Sequence, residues 1–235
     1  MDWKKHGARL RSLLSKPWLV AVLAVVAVLR VLPALSNGLF KDDHFHRAMV
    51  AQDSPLSWGE PRAWSLFETF PNDALWRGAN IESGWLPWWT QEGFYQEFWR
   101  PLASLTHTLD YTLWPQHPGA MHLHSILWFA VLIWCAWLLY RRLMEPAWVG
   151  ALAFALYAFD DLHSYPVGWL ANRSALMAAA FGILALLAHD AWRRRGWKPG
   201  ALWGPVAFGL GLASGEIALG AVASNHSFGS MGFAF

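Results

Sequence analysis

Long apolar runs separated by short charged clusters set the plan of the chain. Five runs approach the roughly 20 residues that a helix needs to cross a bilayer core of about 30 Å: residues 18–35, 121–140, 147–159, 174–192 and 201–222. The third is short, and at 1.5 Å per residue it falls about 10 Å below a full crossing. Either it begins within the bilayer, or Asp160 and Asp161 behind it sit below the surface in a protein-lined cavity. The first run is too long for a signal-peptide core and no small-residue cleavage site closes it, so it reads as an uncleaved signal anchor. The pattern predicts an all-α polytopic membrane protein. It has one transmembrane domain over 1–223 with about five spans, a large external loop over 36–120 carrying interfacial helices, and an irregular tail over 224–235.

Composition agrees. Only 14% of the 235 residues are charged and 55% are hydrophobic, against about 25% charged in soluble domains. A net charge of +2, spread beside apolar runs, excludes nucleic acid as a partner. Lone Cys135 lies inside an apolar run, where it is a small core residue with no disulfide partner. Charge then gives orientation. Lys4, Lys5, Arg9, Arg11 and Lys16 precede the first run, Arg141 and Arg142 follow the second, and Arg193, Arg194, Arg195 and Lys198 follow the fourth. Counting spans from a cytoplasmic N-terminus puts every cluster inside, as the positive-inside rule requires. The expected location is the plasma (inner) membrane.

The external loop is acidic on balance and holds Trp58, Trp64, Trp76, Trp85, Trp88, Trp89, Trp99 and Trp114. Several sit in short amphipathic stretches, Trp64–Phe70 and Gly84–Trp89. Tryptophan favours the headgroup region, so one or two helices lying on the outer surface are expected, and the same rings suit sugar stacking.

Three polar groups fall on the outer side. The first is Lys41-Asp42-Asp43-His44-Phe45-His46. Adjacent carboxylates can act as a general base or, joined by further oxygen ligands, hold a divalent metal, and they also suit a plain capping turn. The second is Arg100-Pro101-Leu102 with Asp110, where an arginine can hold a lipid phosphate. The third runs from Asp160, Asp161 and His163 to Asn172-Arg173-Ser174. Asn172 or Ser174 is the expected N-cap of the fourth span, which places Arg173 near a helix N-terminus. Glu216, inside the fifth run, belongs with this group and is expected to pair with an arginine or line a polar cavity. The pairs His44/His46 and His122/His124 suggest zinc, but two residues apart on a helix means opposite faces.

In this order, the groups resemble those of the C-type superfamily of integral membrane glycosyltransferases, nearest to its protein O-mannosyltransferase-like branch with the tetratricopeptide-repeat-associated members. The resemblance lies in Asp42-Asp43, Arg100-Pro101-Leu102, Asp110-Tyr111, His122-Leu123, the stretch from Leu162 to Trp169, Asn172-Arg173 and Ser214-Gly215-Glu216. It implies sugar transfer on the external face from a polyprenyl-phosphate donor. Asp42 or Asp43 would be the base, Arg100 or Arg173 the donor-phosphate ligand, and no nucleotide sugar or certain cofactor is required. Gly215, Ser125 and Phe129 depart from the family pattern at positions that often carry Lys, Asn and His.

The family usually has many more helices, so the chain reads as the N-terminal part of a larger enzyme. The residues from Ser224 onward, without helical periodicity or a basic stop, resemble a truncation or a shifted frame. The alternative is a non-catalytic membrane protein, a degenerate homologue or an assembly partner that uses the tryptophan loop to contact another protein. A transporter fits less well, since only Arg30 and Glu216 approach the midplane.

Overall fold

The computed structural model describes residues 3–51, 63–84 and 86–220. In chain order the basic helix α1 (Trp3–Leu14) precedes α2 (Pro17–Val31), which runs on as a 3-10 turn over Leu32–Ser36. The loop over 36–120 then carries α3 (Asp42–Ala51), strand β1 (Glu68–Phe70), α4 (Ala74–Glu82), strand β2 (Gln96–Glu97) and α5 (Pro101–Leu113). The remaining helices are α6 (Pro118–Leu143), α7 (Ala147–Ala158), the short α8 (Ser164–Gly168), α9 (Arg173–Arg195) and α10 (Gly200–Leu212). Proline opens α2, α5 and α6 near the first helical position, where its missing N–H would have had no intrahelical partner.

Three helices among the described residues are long and apolar enough to cross a membrane: Pro17–Ser36, Pro118–Leu143 and Leu170–Arg195, of 20, 26 and 26 residues. Three of the five expected spans are thus helices of full crossing length. The runs at 147–159 and 201–222 fold as the shorter apolar helices α7 and α10, of 12 and 13 residues, about 18 and 20 Å long. The α10 helix ends at Leu212 because the backbone turns at Ala213–Gly215. There the Leu102 N–H from the start of α5 donates to the Ala213 carbonyl at 2.8 Å, and the Ser214 hydroxyl folds back on the Leu210 carbonyl at 2.8 Å. No charge interrupts the sequence before Glu216, so hydropathy reads straight across this turn.

In lipid, helices gain little from hiding apolar surface and associate through close packing. The centre of the bundle is α6, whose Phe129, Leu132 and Ile133 mesh with Ala27 of α2, Phe154 of α7 and Leu176 of α9. Gly119 lets α6 begin against the end of the first span. A Cβ there would stand 2.7 Å from the Leu35 carbonyl oxygen.

The loop differs from its expected form in one respect. Trp64–Phe70 passes through a turn into β1, which pairs antiparallel with β2 through Glu68 with Glu97 and Phe70 with Gln96, and is not helical. Its helices are α3, α4 and α5. Asp73 caps α4 by accepting from the Leu75 and Trp76 N–H groups at 2.8 and 3.1 Å. Trp64, Trp88, Trp89 and Trp99 are exposed. Trp58, Trp85 and the tail over 224–235 lie outside the described residues.

Candidate active site

Helices α6 and α9 begin at the end of the bundle where α2 finishes, and α3 and α5 pack across that end. The buried polar side chains collect here: Asp43, His46, His107, Asp110, His122, Ser125 and Arg173 are each at most 1% exposed. The arginine clusters at Arg141–Arg142 and Arg193–Arg195 terminate the same helices at the opposite end.

Arg173 organises the interior of this end. It is wholly buried, and its guanidinium donates to the Ser125 hydroxyl at 2.9 Å and to the Met121 carbonyl at 2.8 Å and forms an ion pair with Asp110 Oδ2 at 2.5 Å. The other Asp110 oxygen lies 2.9 Å from His124 Nδ1. The same Nδ1 is 3.2 Å from the Arg173 guanidinium, but a nitrogen that donates to the carboxylate cannot also accept. The charge-assisted bond to Asp110 is the shorter one and takes the proton. A buried ion pair of this kind depends on its partners, since removing one strands the other charge away from water. Arg173 thus has no donor facing an open cleft. Asn172 occupies the N-cap position of α9 without a side-chain bond, while the Ser174 hydroxyl donates to the Ala171 carbonyl at 3.4 Å.

The two adjacent aspartates have different surroundings. Asp43 is fully buried and accepts two backbone N–H groups, from Phe40 at 2.9 Å and Ala171 at 2.7 Å. It thereby ties the start of α3 to the turn that enters α9. The Tyr111 hydroxyl adds a bond of 3.1 Å to the Asp43 carbonyl. Burial raises the Asp43 carboxyl, and these N–H groups work against the rise. Asp42 is half-buried and takes no hydrogen bond from any described residue; burial raises its carboxyl and the Lys41 charge opposes that. Lys41 has a left-handed φ of 49°. Its ammonium sits over the rings of Phe40, Trp169 and Tyr165 at 5.0, 5.1 and 5.7 Å and donates to the Tyr165 hydroxyl at 3.1 Å.

Beneath α3 lie two buried histidines whose rings are 5.7 Å apart. Burial, followed by the Arg100 charge, lowers His46 to about 4. His107 is held well below its ordinary value by burial and then by Arg173. Both are neutral. His122, on α6, faces two carbonyl oxygens, Val167 at 3.2 Å and Gly38 at 3.3 Å, and a neutral ring can donate to only one of them.

Arg100 stands at the start of α5 over the rings of Phe98 and Phe67, and pairs with Glu216 at 2.6 Å. Glu216, expected within the fifth apolar run, lies past the end of α10 with its side chain 52% exposed. Its partial burial raises the carboxyl, but hydrogen bonds from Arg100 and the backbone, with the Arg100 charge, leave it below the usual range. Glu216 is thus separated from Asp160, Asp161 and His163, the residues expected to share a polar cavity with it, which stay together in one turn. Asp161 pairs with Arg30 at 2.6 Å, and Arg30 also donates to the Phe159 and Asp160 carbonyls that end α7. A cleft of about 310 Å³ is lined by Arg30, Asn37, Asp161 and Ser164. Asp160 caps the following turn through the Leu162 N–H, and His163 packs between Tyr157 and Phe129. Among the described residues no three His, Cys, Asp or Glu side chains are grouped to hold a metal ion.

Sequence reasoning singled out Asp110 and His124 separately but not the network that joins them to Ser125 and Arg173. The available signal was His122, His124 and Ser125 in the first turns of a helix that is otherwise apolar. Side chains so placed must find polar partners inside the protein.

No family model matches the chain, and no solved structure matches it. A stretch of 92 residues is 33% identical to the protein O-mannosyl-transferase Tmtc1 of Drosophila melanogaster. The match takes in 39% of this chain and 11% of that protein's length, so the chain spans only a small part of the relative. With three helices fit to cross a membrane, the chain has the form of a membrane protein, similar over part of its length to a protein O-mannosyl-transferase.

Proposed function

We propose that this chain is part of a membrane glycosyltransferase that moves a sugar from a polyprenyl-phosphate donor to an acceptor hydroxyl, on the face opposite its cytoplasmic N-terminus. The observation that carries the reading is the 92-residue similarity to a protein O-mannosyl-transferase. The gathering of Asp42, Lys41 and Arg100 at one end of the bundle supports it. Asp42 suits the base, because its carboxylate takes no hydrogen bond among the described residues and its carboxyl is raised toward the range where it can accept and hold a proton. Asp43 is occupied by backbone N–H groups and acts as a positioning residue.

In this scheme the acceptor hydroxyl gives its proton to Asp42 as its oxygen bonds to the anomeric carbon. The bond from that carbon to the donor phosphate oxygen breaks, and polyprenyl phosphate leaves with the electron pair. Arg100 holds the leaving phosphate, which displaces Glu216 from its guanidinium. Arg173 does not touch the donor. Through Asp110 and His124 it fixes the helices that carry the site. The test is transfer from a polyprenyl-phosphate sugar by the full protein and by its Asp42→Asn form. Undiminished transfer in the variant would remove the assignment.

A second reading is favoured by the Arg100–Glu216 pair, in which a carboxylate already neutralises the arginine proposed to hold the phosphate. Here the chain is a non-catalytic membrane protein whose exposed tryptophans contact a partner. It predicts that Asp42 is dispensable and that a protein co-purifies.

A further inference from the structure

At the N-terminal end of the bundle a groove of about 490 Å³ opens between α2, α6 and α7. Its walls are Val20, Ala24, Val28, Ile133, Trp134 and Phe154, and one charged side chain, Arg141, closes it near Pro17. From Pro17 to Leu29 the groove follows thirteen residues of α2, a rise of about 18 Å. That length suits the hydrocarbon depth of one leaflet, about half of a 30 Å core.

The charges at its mouth are unbalanced. Arg142 and Arg194 share Asp190, but Arg141 pairs with no carboxylate among the described residues and rests over Trp137, 6.0 Å from the ring centre. The nearest acid in the chain, Glu145, is exposed and forms no ion pair with it. Helix α1 packs against α7 at this end. From Trp3 to Lys16 the sequence has no acid, and Arg9, Arg11 and Lys16 are exposed while Leu10 and Leu13 are 58% and 45% exposed. A basic helix with exposed leucines is suited to lie in an anionic headgroup layer.

We propose that this groove is a site for an anionic phospholipid of the N-terminal-side leaflet, with one acyl chain between α2, α6 and α7 and its phosphate on Arg141. Charge complementarity selects this occupant over an uncharged lipid or an apolar protein helix. The phosphate end of the site, at Arg141 and Pro17, lies at the far end of α2 from Asp42 and Arg100, so it is separate from the donor site proposed above and does not depend on that reading.

The test uses the full chain in detergent, stripped of lipid and titrated with dioleoylphosphatidylglycerol or dioleoylphosphatidylcholine under native mass spectrometry. The expected result is one phosphatidylglycerol bound at least tenfold more tightly than phosphatidylcholine, with the preference weakening as salt rises. Arg141→Gln should erase the preference and Arg141→Lys should keep part of it. Ala21→Trp, which fills the groove from an exposed position, should abolish the single bound lipid without changing the unfolding midpoint. Equal binding of the two lipids would overturn the proposal. So would a preference retained by Arg141→Gln, or a lipid-free dimer that Ala21→Trp converts to monomer.

Discussion

The two ends of the bundle handle charge in opposite ways. At the N-terminal end the basic residues sit at helix C-termini, where the dipole favours them. Most meet solvent or headgroups, as Arg194 does in its pair with Asp190, where its side chain is 68% exposed. At the other end Arg173 and Asp110 are 0% and 1% exposed and bond within the protein on nearly every polar atom. The first arrangement costs little to alter. The second holds four elements, α3, α5, α6 and α9, in one geometry, and removing a part exposes the full desolvation cost of what remains.

That contrast makes ordered predictions. Arg173→Met should be the most damaging single change, lowering stability by about 3–5 kcal/mol because Asp110 is left charged and buried. Adding Asp110→Leu should restore part of the loss, and thermal unfolding in detergent of the two forms reads the difference. Acid comes next. His46 binds its proton at about 4 in the fold but near 6.5 in the unfolded chain. The unfolded state therefore takes up more protons between those values. Stability present above pH 6.5 is lost as the pH falls to 4, by about 3 kcal/mol. The raised carboxyls of Asp42 and Asp43 act in the opposite sense just above their ordinary values, so His46→Phe against wild type isolates the histidine: its unfolding midpoint should vary less over this window.

Smaller effects separate the neighbouring aspartates. Asp43→Ala leaves two backbone N–H groups without acceptors and should cost about 1–3 kcal/mol for each that stays buried, whereas Asp42→Asn should leave the unfolding midpoint in place. At the bottom of the scale, Arg194→Ala should change stability by less than about 1 kcal/mol, and less still in high salt. A large loss there would erase the distinction between the two ends.

The sequence made the long helices legible because apolar length and flanking arginines are properties of one segment. For the same reason it did not show where α10 stops. The turn at Ala213–Gly215 contains no charge, and what fixes it is a hydrogen bond from Leu102, more than a hundred residues away. The candidate site was legible as residue types but not as partners. Asp42 and Asp43 are equivalent in sequence, and only the N–H groups of Phe40 and Ala171 separate them. Arg173 looked available to a phosphate until Asp110, Ser125 and Met121 filled its donors. Glu216 and Asp160 were grouped by sidedness, and Arg100 and Leu162 draw them to different places.

The most direct measurement is sugar transfer from a polyprenyl-phosphate donor by the wild type and Asp42→Asn forms, each with its unfolding midpoint recorded. The predicted result is a loss of about a hundredfold or more in Asp42→Asn with the midpoint unchanged. Full transfer by Asp42→Asn, or no transfer by a well-folded wild type, would contradict the assignment of Asp42 as the base.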